Sequence, residues 1–237
     1  MPPTAQKIAT HGKRIFGLVH ARITPFSARA QHRASTFNKR QQGAQQVSRP
    51  GTDVNDLHRL LKASYAKDTS NVGDYVADHE LSSPNTRVYL HRQTKKPYIV
   101  HRGSKTLGDW AQNGLIAAGL GRLAPRVRNA RKITEQTEAK YGAPASAFGH
   151  SLGGYLAENS GASGEVQTYN KYVPGGDIRK QLKPNQTDYH TSHDVVSALA
   201  RTQHGANRVL IDGGKSKGIR GAHSVDRLVE FARARAR

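Results

Sequence analysis

The motif GHSLG, at residues 149–153, constrains the fold of this chain more than any other stretch of its sequence. An apolar, β-prone run leads into it and the helix-compatible run YLAE, at residues 155–158, follows it, so the local order is strand, tight turn and helix. Glycines two residues before and two residues after the central serine allow the close chain approach that a strained turn requires. The motif alone is also typical of an ordinary glycine-rich turn, so its context decides whether Ser151 is a nucleophile.

Strand and helix patterns alternate along the rest of the chain. The predicted elements are a helix after Asp53 with Leu57, Leu60, Leu61 and Tyr65 on one face, a hairpin of strands at 86–92 and 97–103, a helix at 126–141, strands at 165–173, 188–197 and 207–212, and a closing helix at 223–234. This alternation predicts an α/β layered sheet rather than an all-α or all-β domain.

The chain carries a large positive charge that is unevenly distributed. Its 37 Lys and Arg residues outnumber its 17 Asp and Glu residues, which gives a formal net charge of +20. Residues 1–52 contain nine of these cations and no acid, and residues 53–237 contain the remaining 28 cations and all 17 acids. We therefore divide the chain into a basic N-terminal arm, 1–52, and a globular domain, 53–237. Such a surface attracts nucleic acid, anionic lipid headgroups or an acidic partner.

Three interpretations of the basic arm remain open on composition. It matches an organelle transit peptide, a nucleic-acid-binding or assembly arm, or a disordered extension. It does not have the apolar core of a secretory signal, because Lys7, Lys13 and Arg14 interrupt its first 20 residues. Since no run approaches the roughly 18 apolar residues of a membrane span, we expect a soluble or peripheral protein.

Composition also limits the chemistry of the chain. The absence of cysteine excludes disulfides, thiolate metal sites and cysteine nucleophiles. The 12 histidines show no convergent metal-ligand spacing, and catalysis by an activated serine requires no metal. We therefore expect neither a metal nor a cofactor.

An acid and a histidine follow the GHSLG turn, which we call the elbow. Their chain order is the one that this type of turn requires: serine, acid and then histidine. Asp194 lies where a strand is predicted to end, and His223 stands before the last helix, after a glycine-rich loop from which it can reach over the elbow. The other acids considered for the role are Asp177, Asp188 and Asp212. The other histidines downstream of the elbow are His190, His193 and His204.

Five motifs in the correct order give the chain a family resemblance. They are IVHRGSKTLGDW at 99–110, GHSLGGYLA at 149–157, TYNKYVPGG at 168–176, HDVVSAL at 193–199 and GAHSVDRL at 221–228. With these motifs the chain resembles the class 3, fungal-type lipases of the α/β-hydrolase fold. The resemblance covers residues 87–230 and leaves the basic arm outside. It implies a central, mostly parallel sheet flanked by helices, with the basic arm as an N-terminal extension.

The resemblance also implies roles for individual residues. Ser151 would be the nucleophile, His223 the general base and acid, and Asp194 the carboxylate that orients the imidazole. The oxyanion hole would consist of the Leu152 N–H together with the N–H or hydroxyl of Ser104.

Further roles follow from the same resemblance. Asn113 would steady the Ser104 side of the oxyanion hole. Asp109 and Trp110 are interpreted as structural, and the apolar segment 114–125 as a lid over an acyl pocket, or else as a glycine-rich core helix.

Two functions of different kinds follow from these observations. The first is hydrolysis of carboxylic esters, with a phospholipid or acylglycerol substrate at an anionic membrane surface. The second is a catalytically weak or inert hydrolase fold that uses residues 1–52 to bind nucleic acid or an acidic assembly partner. Ser151 and Asp194 are separated by only 43 residues, and Asp194 and His223 by only 29, which is short for fungal-type lipases and predicts trimmed peripheral elements.

Overall fold

The computed structural model describes residues 52–104, 120–212 and 221–235, so all of the predicted basic arm except Thr52 lies outside the described residues. The helices are α1 (Val54–Ser64), α2 (Leu120–Tyr141), α3 (Leu152–Asn159) and α4 (Arg227–Arg235), with two short 3₁₀ helices at Gly175–Asp177 and Ala198–Thr202. The strands are β1 (Tyr75–Ser83), β2 (Thr86–His91), β3 (Pro97–His101), β4 (Ser146–His150), β5 (Val166–Tyr169), β6 (Gln186–Thr191) and β7 (Asn207–Ile211).

The seven described strands form one sheet in which each strand lies beside its neighbour in the chain. The β1–β2 and β2–β3 pairs are antiparallel, and the four pairs from β3–β4 to β6–β7 are parallel. The predicted mostly parallel α/β sheet is therefore confirmed. Because parallel strands all end at the same edge, the residues that follow β3, β4, β5 and β6 are gathered at the carboxyl edge of the sheet.

The two faces of the sheet are covered by different helices. On one face, α1 inserts Leu57, Leu60 and Leu61, which are fully buried in the largest apolar cluster with side chains such as Phe148 and Tyr169. On the other face, α2 and α3 cover two smaller apolar clusters. The leucines have helical spacing, and α1 is capped at its N-terminus by the Asp53 carboxylate, which accepts from the Asn55 N–H.

A buried ion cluster lies between α3 and the sheet, and we call it the Lys171 cluster. Lys171 Nζ donates to Glu158 Oε2 at 2.5 Å and to Asp188 Oδ2 at 2.7 Å, and its side chain is completely buried. Lys180 Nζ donates to the other oxygen of Glu158 at 2.9 Å, and the Thr168 hydroxyl donates to Asp188 Oδ1 at 2.7 Å. Lys171 therefore neutralises two buried carboxylates, and the partly exposed Lys180 adds a second cation beside Glu158.

The structure corrects several element boundaries. The predicted hairpin is present, but β1, which precedes it, was missed because its central residues, Asp78 to Glu80, are polar on an edge strand that has only one partner. The predicted strand at 188–197 ends at Thr191, so Asp194 lies in the loop beyond it. Helix α2 is described from Leu120, so it includes Pro125 and residues before the clear helix predicted at 126–141, and α4 begins at Arg227 rather than 223. No helix in the described ranges is long and apolar enough to cross a membrane.

Candidate functional site

Ser151 occupies a sharp turn between β4 and α3. Its backbone has φ 60° and ψ −126°, a conformation that residues other than glycine rarely adopt. A Cβ at Gly149 would collide with the Gly153 backbone, and a Cβ at Gly153 would collide with the His101 carbonyl. The two glycines of the motif are therefore required by the close approach of α3 to β3 and β4. This geometry is that of a nucleophile elbow.

The loop after β3 lies directly against the elbow. A Cβ built on Gly103 would be 3.1 Å from Ser151 Cβ and 3.0 Å from the His150 carbonyl oxygen. Ser104 is the next residue and is half-buried, and Leu152 is the first residue of α3. First-turn N–H groups of a helix have no partner within the helix, so the N–H of Leu152 is available to an anion beside Ser151.

The predicted acid and histidine are hydrogen-bonded to each other. His223 Nδ1 lies 3.0 Å from Asp194 Oδ1, and the Asp194 side chain is completely buried. A carboxylate accepts, so Nδ1 carries the proton and Nε2 is the free, basic nitrogen of the neutral ring. The N–H groups of Val196 and Ser197 each donate to one oxygen of Asp194 at 3.2 Å.

These donors determine the charge of Asp194. Burial alone would raise its pKa, but the hydrogen bond and positive charge of His223, followed by the Ser197 and Val196 contacts, outweigh burial and hold the pKa below its ordinary value. Asp194 is therefore ionised at neutral pH, which is the form that orients and stabilises a protonated His223.

His223 lies beside the residue that precedes Ser151. The His150 and His223 ring centroids are 4.6 Å apart, and His150 Nε2 lies 2.9 Å from the His223 carbonyl oxygen. Within the described part of the chain, neither Ser151 Oγ nor His223 Nε2 has a hydrogen-bond partner, and both atoms are buried. The structure thus brings Ser151, Asp194 and His223 to one edge of the sheet, with the serine-to-histidine hydrogen bond not formed.

The loop that carries His223 is hydrogen-bonded to the carboxyl end of β5 and to the residue that follows it. Asn170 Nδ2 donates to the Ala222 carbonyl at 3.1 Å, and the Tyr169 hydroxyl donates to the Ser224 carbonyl at 3.1 Å. Sequence reasoning missed both residues. Asn170 has φ 42°, which asparagine tolerates better than most residues. The available signal was an Asn inside the predicted strand 165–173, since asparagine is depleted in strands.

The other acid and histidine candidates lie elsewhere. Asp188 lies inside β6 and is paired with Lys171. Asp177 belongs to a 3₁₀ helix near Lys180, and His193 is exposed beside Asp194. His190 is buried in β6 and has no hydrogen bond to Asp194.

Part of the predicted site lies outside the described residues. Asn113, Asp109 and Trp110 are in the range 105–119, as is the first half of the predicted lid, 114–125. Only the last residues of that segment are described, and they form the start of α2.

The sheet, the elbow and the hydrogen-bonded acid and histidine define an α/β protein of the lipase-like class. Residues 41–171, more than half of the chain, match the family described as phospholipase-like, the Tle-like phospholipase domain, and the chain belongs to this family. It is therefore a lipase- or phospholipase-like hydrolase by family, as the motifs predicted. No curated protein sequence is significantly similar to the chain.

Solved structures of fungal lipases are similar to the chain at low sequence identity. The Rhizomucor miehei lipase–propeptide complex is 16% identical, with a TM-score of 0.42 and coverage of 67% of this chain and 67% of that one. A triacylglycerol lipase from Penicillium expansum is 14% identical, with a TM-score of 0.41 and coverage of 71% of this chain and 83% of that one.

Proposed function

We propose that the protein is a serine hydrolase that cleaves carboxylic esters of lipids, with Ser151, His223 and Asp194 as its catalytic residues. The observation that carries this proposal is the hydrogen bond of 3.0 Å between Asp194 and His223 Nδ1, which leaves Nε2 basic beside a strained serine elbow. The unpartnered, buried Ser151 Oγ supports the same assignment, because buried hydroxyls in protein interiors are otherwise hydrogen-bonded.

The reaction proceeds in two halves. Ser151 Oγ attacks the ester carbonyl carbon while His223 Nε2 takes the hydroxyl proton, and the Asp194 carboxylate stabilises the resulting imidazolium. The carbon–oxygen bond to the alcohol then breaks, and the alcohol leaves with the proton from Nε2. Water then attacks the acyl carbon while Nε2 takes one of its protons. The bond from the acyl carbon to Ser151 Oγ breaks, Nε2 gives the proton to Oγ, and the fatty acid is released.

The oxyanion of each tetrahedral intermediate would be bound by the Leu152 N–H and by the N–H or hydroxyl of Ser104. Both residues flank Ser151, one on α3 and one on the loop that abuts the elbow. Each such donor contributes about 3 kcal/mol to the transition state, or roughly a hundredfold in rate.

A phospholipid is the preferred substrate in this proposal. The net charge of +20 favours adsorption to an anionic membrane, where each cation near the surface contributes about 1 kcal/mol. The match to the Tle-like phospholipase domain points to the same substrate class. Neutral acylglycerols lack the headgroup charge that this surface would attract.

The proposal is tested with vesicles and a fluorophosphonate probe on the full chain. We expect wild type to be labelled and to release fatty acid from vesicles of anionic phospholipid faster than from neutral acylglycerol emulsions. Ser151→Ala removes the nucleophile and should lower kcat by at least about a thousandfold and abolish labelling. Ser160→Ala is the matched control, since Ser160 is an equally buried serine at the other end of α3. Full activity of Ser151→Ala would disprove the assignment.

The second candidate function is a hydrolase-fold binding protein that is inert as an enzyme. The nine cations and no acids in residues 1–52 favour it, because such an arm binds polyanions through counterion release. It predicts nucleic-acid affinity that falls steeply with salt, together with no probe labelling at Ser151. Labelling of Ser151 with weak, salt-insensitive binding to nucleic acid would exclude it.

A further inference from the structure

We propose that Tyr65 and His150 are positioning residues. Through one hydrogen-bonded relay they link the loop after β3, which contains Gly103 and Ser104, to the loop that carries His223. This inference rests on the proposed function, since it explains how two separate loops are held against Ser151. Neither residue was singled out for a role by the sequence motifs, and neither transfers a proton to substrate.

The relay consists of three consecutive hydrogen bonds. The Gly103 N–H donates to the Tyr65 hydroxyl oxygen at 3.1 Å. The Tyr65 hydroxyl lies 2.8 Å from His150 Nδ1, and His150 Nε2 lies 2.9 Å from the His223 carbonyl oxygen. One chain of contacts therefore runs from the loop after β3, through the residue before the nucleophile, to the backbone of the general base.

The donors and acceptors of the relay allow only one arrangement. The His223 carbonyl oxygen can only accept, so His150 must carry its proton on Nε2. The neutral ring then has a bare Nδ1, which accepts from the Tyr65 hydroxyl, and the Tyr65 oxygen accepts from the Gly103 amide. Each donor and acceptor is used, and a proton added to His150 would leave Tyr65 without its acceptor.

Burial keeps the relay in this state. Desolvation, followed by the charge of His223, lowers the pKa of His150 to about 3, and desolvation raises the pKa of Tyr65 to about 12. His150 is also held by stacking on the Tyr169 ring, with centroids 5.5 Å apart. The ring is therefore neutral at working pH and fixed in orientation.

The relay is anchored to a helix that is firmly buried against the sheet. Tyr65 is the C-terminal cap of α1, whose leucines are completely buried against the sheet. A Cβ on Gly103 would lie 2.6 Å from the Tyr65 hydroxyl, so glycine is needed for that hydroxyl to reach both partners. Helix α1 thus supports the two loops whose atoms must be placed within a fraction of an ångström of the substrate carbonyl.

Tyr65→Phe tests the relay by removing one oxygen atom. It leaves the Gly103 N–H and His150 Nδ1 unpartnered, and we expect kcat on a short soluble ester to fall about tenfold to a hundredfold. KM should stay within about twofold, because ground-state binding of the ester does not use the displaced groups.

Tyr75→Phe is the matched control for this variant. Tyr75 packs in the apolar cluster formed by the leucines of α1 and loses one hydroxyl hydrogen bond, of 3.1 Å to Asp56, away from the site. We expect it to leave kcat unchanged within about twofold. Wild-type kcat in Tyr65→Phe, or an equal fall in both variants, would overturn the proposal.

Two substitutions of His150 separate its donor role from its volume. In His150→Gln the side-chain amide can still donate to the His223 carbonyl, whereas in His150→Leu it cannot. We expect kcat of His150→Gln to be at least about tenfold higher than kcat of His150→Leu. Equal kcat in the two variants would show that His150 acts only by filling space.

Nitrogen NMR of the histidine side chains distinguishes failure of the relay from failure of the proposed function, because it needs no turnover. We expect the His150 signal, assigned with His150→Gln, to report a protonated Nε2 and a bare Nδ1. Tyr65→Phe should shift the signals of both His150 and His223, and Tyr75→Phe neither. If His150 is protonated on Nδ1, the relay is wrong even if the protein is an active enzyme. If the spectra are as expected but the protein has no activity, the relay stands and only the assignment as a hydrolase fails.

Discussion

Two buried polar clusters lie on the same sheet, and they differ in how completely their members are paired. In the Lys171 cluster, Lys171 contacts Glu158 at 2.5 Å and Asp188 at 2.7 Å, and Lys180 takes the remaining oxygen of Glu158. At the carboxyl edge of the sheet, by contrast, Ser151 Oγ is buried without a hydrogen-bond partner in the described residues. His223 Nε2 is in the same state.

The difference separates a structural cluster from a reactive one. An unpaired buried polar group costs about 1–3 kcal/mol, and a non-glycine residue at positive φ costs a similar amount. Ser151 carries both costs, which supports the catalytic role proposed for it. Lack of partners is not sufficient by itself, since both nitrogens of His190 are also unpaired, yet His190 has neither a bound carboxylate nor a strained serine beside it. The proposed site rests on this combination of features rather than on any one of them.

Of the substitutions in the two clusters, Asp194→Asn is expected to have the largest effect on kcat. The amide cannot hold the proton on His223 Nδ1 as the carboxylate does, so kcat should fall about ten-thousandfold, as in other triads. Steady-state kinetics on a soluble ester measures the loss, and thermal unfolding should change little by comparison. Asp177→Asn is the control, since Asp177 is a partly exposed acid at 3.9 Å from Lys180. Retention of a tenth of the wild-type kcat by Asp194→Asn would contradict the reactive role.

Lys171→Met is expected to give the opposite pattern. It leaves the buried carboxylates of Glu158 and Asp188 without their shared cation, and the free energy of unfolding should fall by about 3–5 kcal/mol. Denaturant titration measures the loss, and kcat per probe-labelled molecule should change less than tenfold. Lys180→Met, at a side chain that is 33% exposed, should cost below about 1 kcal/mol.

A triple variant without the buried charges tests whether unpaired charge causes the loss of stability in Lys171→Met. Adding Glu158→Gln and Asp188→Asn to Lys171→Met removes the unpaired charges and should restore most of the lost stability. A triple variant no more stable than Lys171→Met would mean that packing, rather than charge, dominates the cluster.

Local patterns predicted much of the fold and the chemical side chains of the site. The GHSLG glycines, the helical spacing of Leu57, Leu60 and Leu61, and the apolar strands each express a local rule that tertiary contacts do not override. The edge strand β1 was missed because the polar residues at its centre interrupt the apolar pattern that marks a strand. Asn113 and the lid remain predictions.

The supporting residues could not be predicted, since their roles depend on contacts between distant parts of the chain. Tyr65 looks like the last residue of a helix face, and its contact with His150 spans 85 residues. Lys171 lies in the predicted strand 165–173, where the pattern gives no sign that its side chain is completely buried. A sequence pattern records periodicity and spacing, whereas these roles require two elements to be placed together.

The smallest effect is expected from His150→Gln, which should remove one histidine's share of a pH-dependent loss of stability. Burial lowers the pKa of His150 and of His101 to about 3, and that of His190 to about 4, from an ordinary value of 6.5. The unfolded chain therefore binds these protons first, so stability is complete above pH 6.5 and is lost as pH falls towards 4. Each histidine contributes up to about 1.4 kcal/mol per pH unit, or about 2 kcal/mol between pH 7 and pH 5. Denaturant titrations at these two values should show the loss, and His150→Gln should reduce it by one histidine's share. An equal loss in wild type and His150→Gln would mean that His150 is not held neutral in the folded state, and would remove the contrast between a fixed His150 and a reactive His223.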